Sequence, residues 1–528
     1  MKNKRSEWLI AMLLFFLTAA VFVPALFCHY VAFDDAAYVY RNPQVLSGLS
    51  VKNIGWAFHV QYCFWSPLLW ISYMIDSTLL APEPWAFHLT NILLHSLNAT
   101  LLFLLLRRMT DKVWLSLIAV VFWALHPLRV ESVAWVTERK DVLSAFFMFL
   151  ALHAYVSFSR SRSKVWYAAI LLFMVAGLMV KPVLVTLPVL LLLLDVWPLN
   201  RFSDVRNRIV EKIPLFVCAA VFTVVGWLAH RSAIASFETY SLIERSGIAL
   251  HNYVFYIGKF FWPFGLATPY PMMVPSLPIA VFSFVLLAAI TLTALFFLRR
   301  APFIFTGWFW FCIALAPVCG FIQIGNTTTA DRFTYLPSIG LTALLVWGVA
   351  ALRRIPFRKE AALILAAGLI LLTVRQIAFW RDSDALCGRA LAVTRNNYVA
   401  HLYYGSWLVM NGRVDEARPH LLRSVTISPD YAPDVCILGR YFFRHGDMER
   451  AMVCFESVCI NPPLTRAVAV VPRFSPVVSD LGVFFLKRGD FARALICFEA
   501  VCASPNHSEQ DKINLELCRR SIVQQKEQ

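Results

Sequence analysis

Residues 9–27 read LIAMLLFFLTAAVFVPALF and follow a basic patch of Lys2, Lys4 and Arg5. A helix rises about 1.5 Å per residue, so about 20 apolar residues cover the hydrocarbon of a bilayer. Similar runs recur at 114–130, 213–229, 280–298 and 361–378. Lipid offers backbone amides no partners, so each run is expected to be helical throughout. Of 528 residues, 59% are hydrophobic and 15% charged, whereas soluble domains carry about 25% charged residues. The composition excludes a single soluble globule and predicts an all-α, polytopic transmembrane bundle over residues 1–380.

About eleven spans follow from these runs, near 8–28, 87–106, 113–130, 142–158, 165–180, 182–198, 213–231, 278–298, 302–320, 336–352 and 360–379. A further aromatic segment, 251–266, breaks the alternation of sides if it crosses. Trp262, Pro263 and neighbouring Phe and Tyr suit the headgroup belt, so an interfacial or re-entrant helix is expected there. The net charge of +16 invites a nucleic-acid reading, but its placement argues for lipid. Arg107, Arg108 and Lys112; Arg160, Arg162 and Lys164; Arg201, Arg206, Arg208 and Lys212; Arg299 and Arg300; and Arg353, Arg354, Arg358 and Lys359 fill alternate short loops. The long stretch 29–87 holds only Arg41 and Lys52. Basic loops stay cytoplasmic, which puts the N-terminus inside, 29–87 outside and, after eleven crossings, the C-terminal region outside. No small-x-small cleavage site follows the first run, so a retained signal-anchor is expected.

From about residue 381 the composition turns to that of a soluble helical domain, 381–528. Gly412 and Gly446 lie 34 residues apart, as do Ala417 and Ala451, Leu421 and Phe455, and Pro429 and Pro463. A third copy supplies Gly489, Ala494 and Phe498, and Gly405, Gly439 and Gly482 mark matching positions in the first helix of each. This period resembles the tetratricopeptide repeat, with copies at 398–431, 432–465 and 475–508. Such a stack offers a concave groove to an extended acceptor peptide; a spacer or oligomerisation role is the alternative. Cys454 and Cys459 recur as Cys497 and Cys502. Five residues apart on a helix, the members of a pair diverge, and they read as small core residues rather than intra-pair bridges or zinc ligands.

Ionisable residues beside hydrocarbon are costly and mark function. Asp34 and Asp35 stand a few residues after the first span. Adjacent carboxylates serve as a general base, hold a divalent cation, or merely cap a turn. Residues 126–141 read HPLRVESVAWVTERKD, placing His126, Arg129, Glu131, Glu138, Arg139, Lys140 and Asp141 where an ordinary loop would carry Gly, Ser and Asn. Cations among carboxylates suit an anionic headgroup, Arg through its bidentate fork; a self-paired network joining two helices is the alternative. Asp331, Arg332 and Tyr335 form a third cluster on the same side, with Arg332 a phosphate clamp or an interfacial anchor. His88, Asn91, His95 and Asn98 share one face of the second span, turned to the bundle or a watery cavity, with structural hydrogen bonding the leading reading.

Taken in order, the acidic pair, HLTNILLH at 88–95, HPLRVESVAWVTERKDVLS at 126–144, ADRFTYLP at 330–337 and the repeats resemble the TMTC family. These are transmembrane, tetratricopeptide-repeat O-mannosyltransferases within the C-type (GT-C) class of polytopic glycosyltransferases. The resemblance implies transfer of a sugar, mannose in the family, from a polyprenyl phosphate to Ser or Thr of an exported protein, with inversion. Asp34 or Asp35 would be the base, and Arg139, Lys140 or Arg332 would meet the leaving phosphate. His126 and Glu131 would orient the sugar or the acidic pair. Glu138, Asp141, Asp331 and Tyr335 would complete the donor site, and His88, Asn91 and His95 would line its cavity. A divalent cation at Asp34/Asp35 stays open, and no nucleic acid is expected. Animal members carry longer repeat arrays, so a compact bacterial relative is expected, in the plasma membrane, with active site and repeats extracytoplasmic. Two alternatives stand beside this: the same chemistry on a lipid or surface polysaccharide, and a non-enzymatic scaffold or transporter. A transporter places its charges midway along broken helices; here they gather at one face.

Overall fold

The computed structural model describes residues 2–201, 205–230, 240–323, 327–352, 358–460, 463–470, 474–505 and 507–527. Arg353 and Arg354 of the basic loops lie outside the described residues. The chain forms two compact units, Met1–Thr268 with Met272–Leu386, and Pro269–Pro271 with Cys387–Gln528. Regular structure among the described residues is helical.

In the first unit, six helices are long and apolar enough to cross a bilayer: Arg5–Phe27, Pro84–Thr110, Val136–Ser161, Val205–Ala229, Leu277–Phe296 and Glu360–Ala378. Val113–Ala124 and Pro127–Ala134, bent by 59°, make a seventh when taken together. The bend has a cause in the sequence, since Pro127 lacks the N–H that would continue the ladder. His126 caps the break, its Nδ1 accepting from the Leu128 N–H at 3.2 Å. Lys164–Leu178, Pro182–Val196, Pro302–Val318 and Ser338–Ala351 are apolar but shorter. This is an all-helical polytopic membrane protein. Pro84–Thr110 and Val136–Ser161 are its central helices, each more than half buried along its apolar window. Gly307 and Gly340 let Pro302–Leu315 and Ser338–Ala351 meet backbone to backbone: a Cβ on Gly307 would lie 2.7 Å from the Gly340 carbonyl oxygen. Small residues at such crossings are the usual basis of helix association in lipid.

The unit has two polar ends. At one, the basic loops converge: Arg162, Arg201 and Arg208 reach Glu211 at 2.5, 3.1 and 3.0 Å, and Arg108 donates to Ser157 Oγ at 2.9 Å. Beside them Lys212 and Asp195, both fully buried, pair at 2.7 Å. At the other end of the same helices lie the acidic pair and the 126–141 segment. Residues 251–266 begin inside a helix, Leu242–Phe261, opened by a Ser241–Glu244 capping box. It positions the approach to Asp331: Asn252 Nδ2 donates to the Cys319 and Thr328 carbonyls at 2.9 Å each, and the Ala330 N–H donates to the Tyr256 hydroxyl at 3.0 Å.

The second unit repeats one motif. Tyr398–Met410 pairs with Val414–Ile427, Ala432–Arg444 with Met448–Val458, and Ser475–Lys487 with Phe491–Cys502. Each pair turns through a glycine at positive φ, +78° at Gly412, +78° at Gly446 and +76° at Gly489, a conformation that L side chains resist. Within each pair the first helix offers a glycine to a bulky residue of the second: Gly405 to Leu421, Gly439 to Phe455, Gly482 to Phe498. The cysteines carry no disulfide among the described residues; Cys459 and Cys497 touch across successive helix pairs at 3.4 Å.

Candidate active site

Adjacent in sequence, Asp34 and Asp35 are split by the fold. Asp35 is 1% exposed. One oxygen accepts from the Val31 N–H at 2.9 Å; the other accepts from the Thr137 N–H at 3.2 Å and from the Thr137 hydroxyl. Burial pushes its carboxyl up to about 6, against the pull of those bonds. Asp34 is exposed. Tyr73 supports the same strut, its hydroxyl donating to the Val136 and Thr137 carbonyls at 3.1 Å each. Asp35 thus ties the segment after the first span to residue 137 and leaves Asp34 exposed.

Past Thr137 an ion-pair network gathers residues from three parts of the chain. Arg332 Nη1 meets Glu131 Oε1 at 2.5 Å, and the Arg332 N–H donates to Glu131 Oε2 at 3.0 Å. Glu138 receives Arg332 Nε at 3.3 Å, Lys140 Nζ at 3.3 Å and Lys181 Nζ at 3.7 Å. Lys181 also meets Asp141 at 2.5 Å, and Ser132 donates to Asp141 at 2.9 Å. The carboxylate side chains are 2–7% exposed and the cations 11–16%. Within this network Lys140, Lys181 and Arg332 are thus the more accessible groups. Lys181 was not singled out from sequence; its signal was a lone lysine between two short apolar runs, immediately before Pro182.

Several expected site residues lie elsewhere. His126 is held by the Phe260 carbonyl at 3.0 Å and stacks on that ring at 5.5 Å, which leaves it no part in orienting the acidic pair. Arg139 is fully buried against Asp76 at 2.5 Å and donates to Asn91 Oδ1 and the Phe87 carbonyl, both at 2.9 Å. That arginine locks Pro67–Leu79 and Pro84–Thr110 together and is not available to a phosphate. Tyr335 lies in a hydrogen-bond chain, its hydroxyl 2.7 Å from His95 Nδ1 and accepting from Asn98 Nδ2 at 3.2 Å. Asp331 is buried at the start of a short 3-10 turn, Asp331–Thr334. The face of His88, Asn91 and His95 meets protein rather than an open cavity. Asn91 donates to the Val133 and Trp135 carbonyls at 3.3 Å each, His95 Nε2 lies 3.0 Å from the Ala124 carbonyl, and His88 is 1% exposed. Asn91, His95 and Asn98, whose Nδ2 donates to the Val142 carbonyl at 2.7 Å, fasten the 124–142 segment to the helix beside it.

The acidic pair does not suit a divalent cation. Both Asp35 oxygens accept protein hydrogen bonds, and no group of three or more His, Cys, Asp or Glu among the described residues is placed to hold a metal.

No family model matches the chain. A protein O-mannosyl-transferase of Caenorhabditis elegans is 24% identical over 440 residues, 76% of this chain and 60% of that protein. Human protein O-mannosyl-transferase TMTC1 is 21% identical over 476 residues, 77% of this chain and 54% of that one. Protein O-mannosyl-transferase Tmtc2 of Drosophila melanogaster is 29% identical over 179 residues, 31% of this chain and 19% of that protein. The chain is thus a distant homologue of the TMTC O-mannosyl-transferases over most of its own length, and it spans 60% or less of the length of these relatives. Among solved structures, ArnT from Cupriavidus metallidurans bound to undecaprenyl phosphate is similar with a TM-score of 0.38 and 15% identity, over 89% of this chain and 80% of that one.

Proposed function

From this distant homology and the ion-pair network that follows Thr137, we propose that the protein is a membrane glycosyltransferase. It moves a sugar, mannose by likeness to the relatives, from a polyprenyl phosphate to a Ser or Thr hydroxyl of an exported protein. The observation that carries the reading is that the segment Thr137–Asp141, gripped by the buried neighbour of an exposed Asp34, also carries Lys140 and holds Lys181 and Arg332 through Glu138 and Asp141. The acceptor oxygen attacks the anomeric carbon as the bond from that carbon to the phosphate oxygen breaks. Asp34 takes the acceptor proton. Charge grows on the departing lipid phosphate, where Lys140, Lys181 and Arg332 stand preorganised to stabilise it. Attack opposite the leaving phosphate inverts the anomeric centre. The bilayer holds the prenyl tail, and the paired helices of the second unit, read as tetratricopeptide repeats, hold the acceptor. Their second and third pairs enclose a groove of about 230 Å³ lined by Arg440, Phe443, Arg444, Asp480 and Phe484, which suits an extended segment with acidic and apolar side chains.

The test is glycan profiling of membrane and exported proteins from cells making wild type or Asp34→Asn at equal level. A lost general base lowers rate by about 100- to 10,000-fold, so a hexose is expected to disappear from particular Ser or Thr residues. An unchanged protein profile with altered lipids or polysaccharide transfers the same chemistry to that acceptor; no change in either removes the enzyme reading in favour of a scaffold.

A further inference from the structure

The turn from Gln61 to Phe64 is the strained part of the first external segment. Tyr62 and Cys63 are consecutive side-chain-bearing residues at φ +50° and +64°, and Gln61 and Phe64 close the turn with N–H to carbonyl bonds of 2.9 and 2.8 Å. Such strain persists where the surrounding structure demands it, often at binding sites. What the turn achieves is the placement of Tyr62. Its ring, 50% exposed, stacks on Tyr38 at 5.6 Å with 23° between planes, and approaches Trp70 at 6.0 Å. Tyr38 and Trp70 lie 4.8 Å apart. Tyr38 is 3% and Trp70 0% exposed. Among the described residues, the Tyr38 hydroxyl and the Trp70 indole N–H have no hydrogen-bond partner. Buried donors left unpaired are few in proteins, and each requires a reason.

The surroundings supply one. Tyr38 sits on a five-residue π-helix, Ala36–Tyr40, directly after the acidic pair, a rare geometry that recurs at functional sites. Lys140 Nζ lies 5.0 Å over the Tyr38 ring and 5.5 Å over Phe64, which joins the aromatic nest to the cation belt. Burial and the nearby Asp34 hold the Tyr38 phenol well above its ordinary range, so it remains a donor. These groups suit a ligand with acceptor oxygens on its rim and an apolar face to lie on a π-surface. A pyranose ring has both, since its C–H faces match the negative face of an aromatic ring and its hydroxyl oxygens accept. A bare phosphate needs only the cations.

We propose that Tyr38, Tyr62 and Trp70 form the subsite for the pyranose ring of the donor lipid. The sugar lies against the half-exposed Tyr62 ring, with its hydroxyls toward the Tyr38 O–H and the Trp70 N–H. This rests on the glycosyl-transfer reading above, and a binding experiment separates the two. Full-length protein in detergent is titrated with a short-tailed polyprenyl phosphate, either bare or carrying mannose, glucose or galactose. At least one sugar-bearing lipid is expected to bind more tightly than the bare lipid. Tyr62→Ala should weaken that lipid by about 2- to 10-fold with bare-lipid affinity unchanged. Tyr62→Phe should retain the gain, and Tyr38→Phe, which removes only a hydroxyl, should reduce it. If no sugar improves on the bare lipid, or if Tyr62→Ala weakens bare and sugar-bearing lipids alike, the subsite is wrong while the transferase reading stands. If wild type binds none of the four lipids, both fall.

Discussion

Asp34 and Asp35 show how much a single side chain's role depends on what the chain packs around it. Both are aspartates in a run of five residues, and no periodicity separates them; the difference arises because Thr137 and Val31 converge on one carboxylate and not on the other. Asp35 is therefore a positioning residue. Its folded-state value of about 6 lies above the ordinary 3.8, so the stability it contributes is present in full below the ordinary value and is lost as pH rises through about 6. The melting-temperature difference between wild type and Asp35→Asn should accordingly shift in favour of wild type as pH falls from 7 to 5, read by thermal unfolding in detergent across that range. A difference that stays flat would mean that the carboxylate does not carry the raised value. Lys181 gives a second expectation. A hydrogen-bonded charge contact is worth about 1.5–3 kcal/mol, so Lys181→Gln should raise the KM for the donor lipid by about 10- to 100-fold and Lys181→Arg should recover part of it. An effect confined to kcat would place Lys181 outside phosphate binding.

At the scale of helices, the legible features were those with a period or a length. Apolar runs near the bilayer thickness predicted helices at 9–27 and 361–378, where Arg5–Phe27 and Glu360–Ala378 stand. The glycines at 405, 439 and 482 mark places where one helix of a pair presses against the next. Ion-pair partners were not legible. Asp76 is separated from Arg139 by the helices Pro84–Thr110, Val113–Ala124 and Val130–Ala134, and Lys181 reaches Asp141 across 40 positions; nothing local in a sequence encodes a partner so far away. For that reason the sequence leaves 126–141 open between an anionic-ligand site and a self-paired network; the fold buries the segment and commits Arg139 to Asp76, Asn91 and the Phe87 carbonyl. The glycine reading makes its own prediction. A Cβ on Gly405 would lie 2.7 Å from Leu421 Cδ2 and 3.1 Å from the Leu421 amide nitrogen, whereas one on Gly388 meets nothing within 4 Å. Gly405→Ala should destabilise its helix pair by about 1–3 kcal/mol through overpacking. Gly388→Ala, on an open helical face, should stabilise by about 0.5–1 kcal/mol. Protease susceptibility of the second unit in the full-length protein would separate the two; equal behaviour would show that close packing at Gly405 is unimportant.

For the whole molecule, the first unit divides its charge by pole. Arg108, Arg162, Arg201 and Arg208 collect at one set of helix ends, and Glu131, Glu138, Asp141, Lys181 and Arg332 at the other. The segregation has an electrostatic basis, because an excess of Lys and Arg in short loops retains them on the cytoplasmic side during insertion. Cations outnumber carboxylates at that pole, where three arginines share Glu211, whereas the opposite pole sets Lys140, Lys181 and Arg332 against Glu131, Glu138 and Asp141. Under the proposed function the donor lipid is used at the second pole, where Asp34 is exposed. Six helices are long enough to cross alone, seven with the bent pair and eleven with the four shorter apolar helices; the odd counts leave the C-terminus on the side opposite the N-terminus and the even one does not. A phosphatase that folds only outside the cytoplasm, fused after Gln528, should be active, and the same enzyme fused after Arg108 or Arg162 should be silent. A cysteine placed at Val51, which is 91% exposed, should label with a membrane-impermeant maleimide in intact cells. Silence of the C-terminal fusion with labelling at position 51 would mean an even number of crossings, moving the repeat unit to the cytoplasm and removing it as the holder of an exported acceptor. Silence at both would invert the molecule and place Asp34 where no exported protein could reach it.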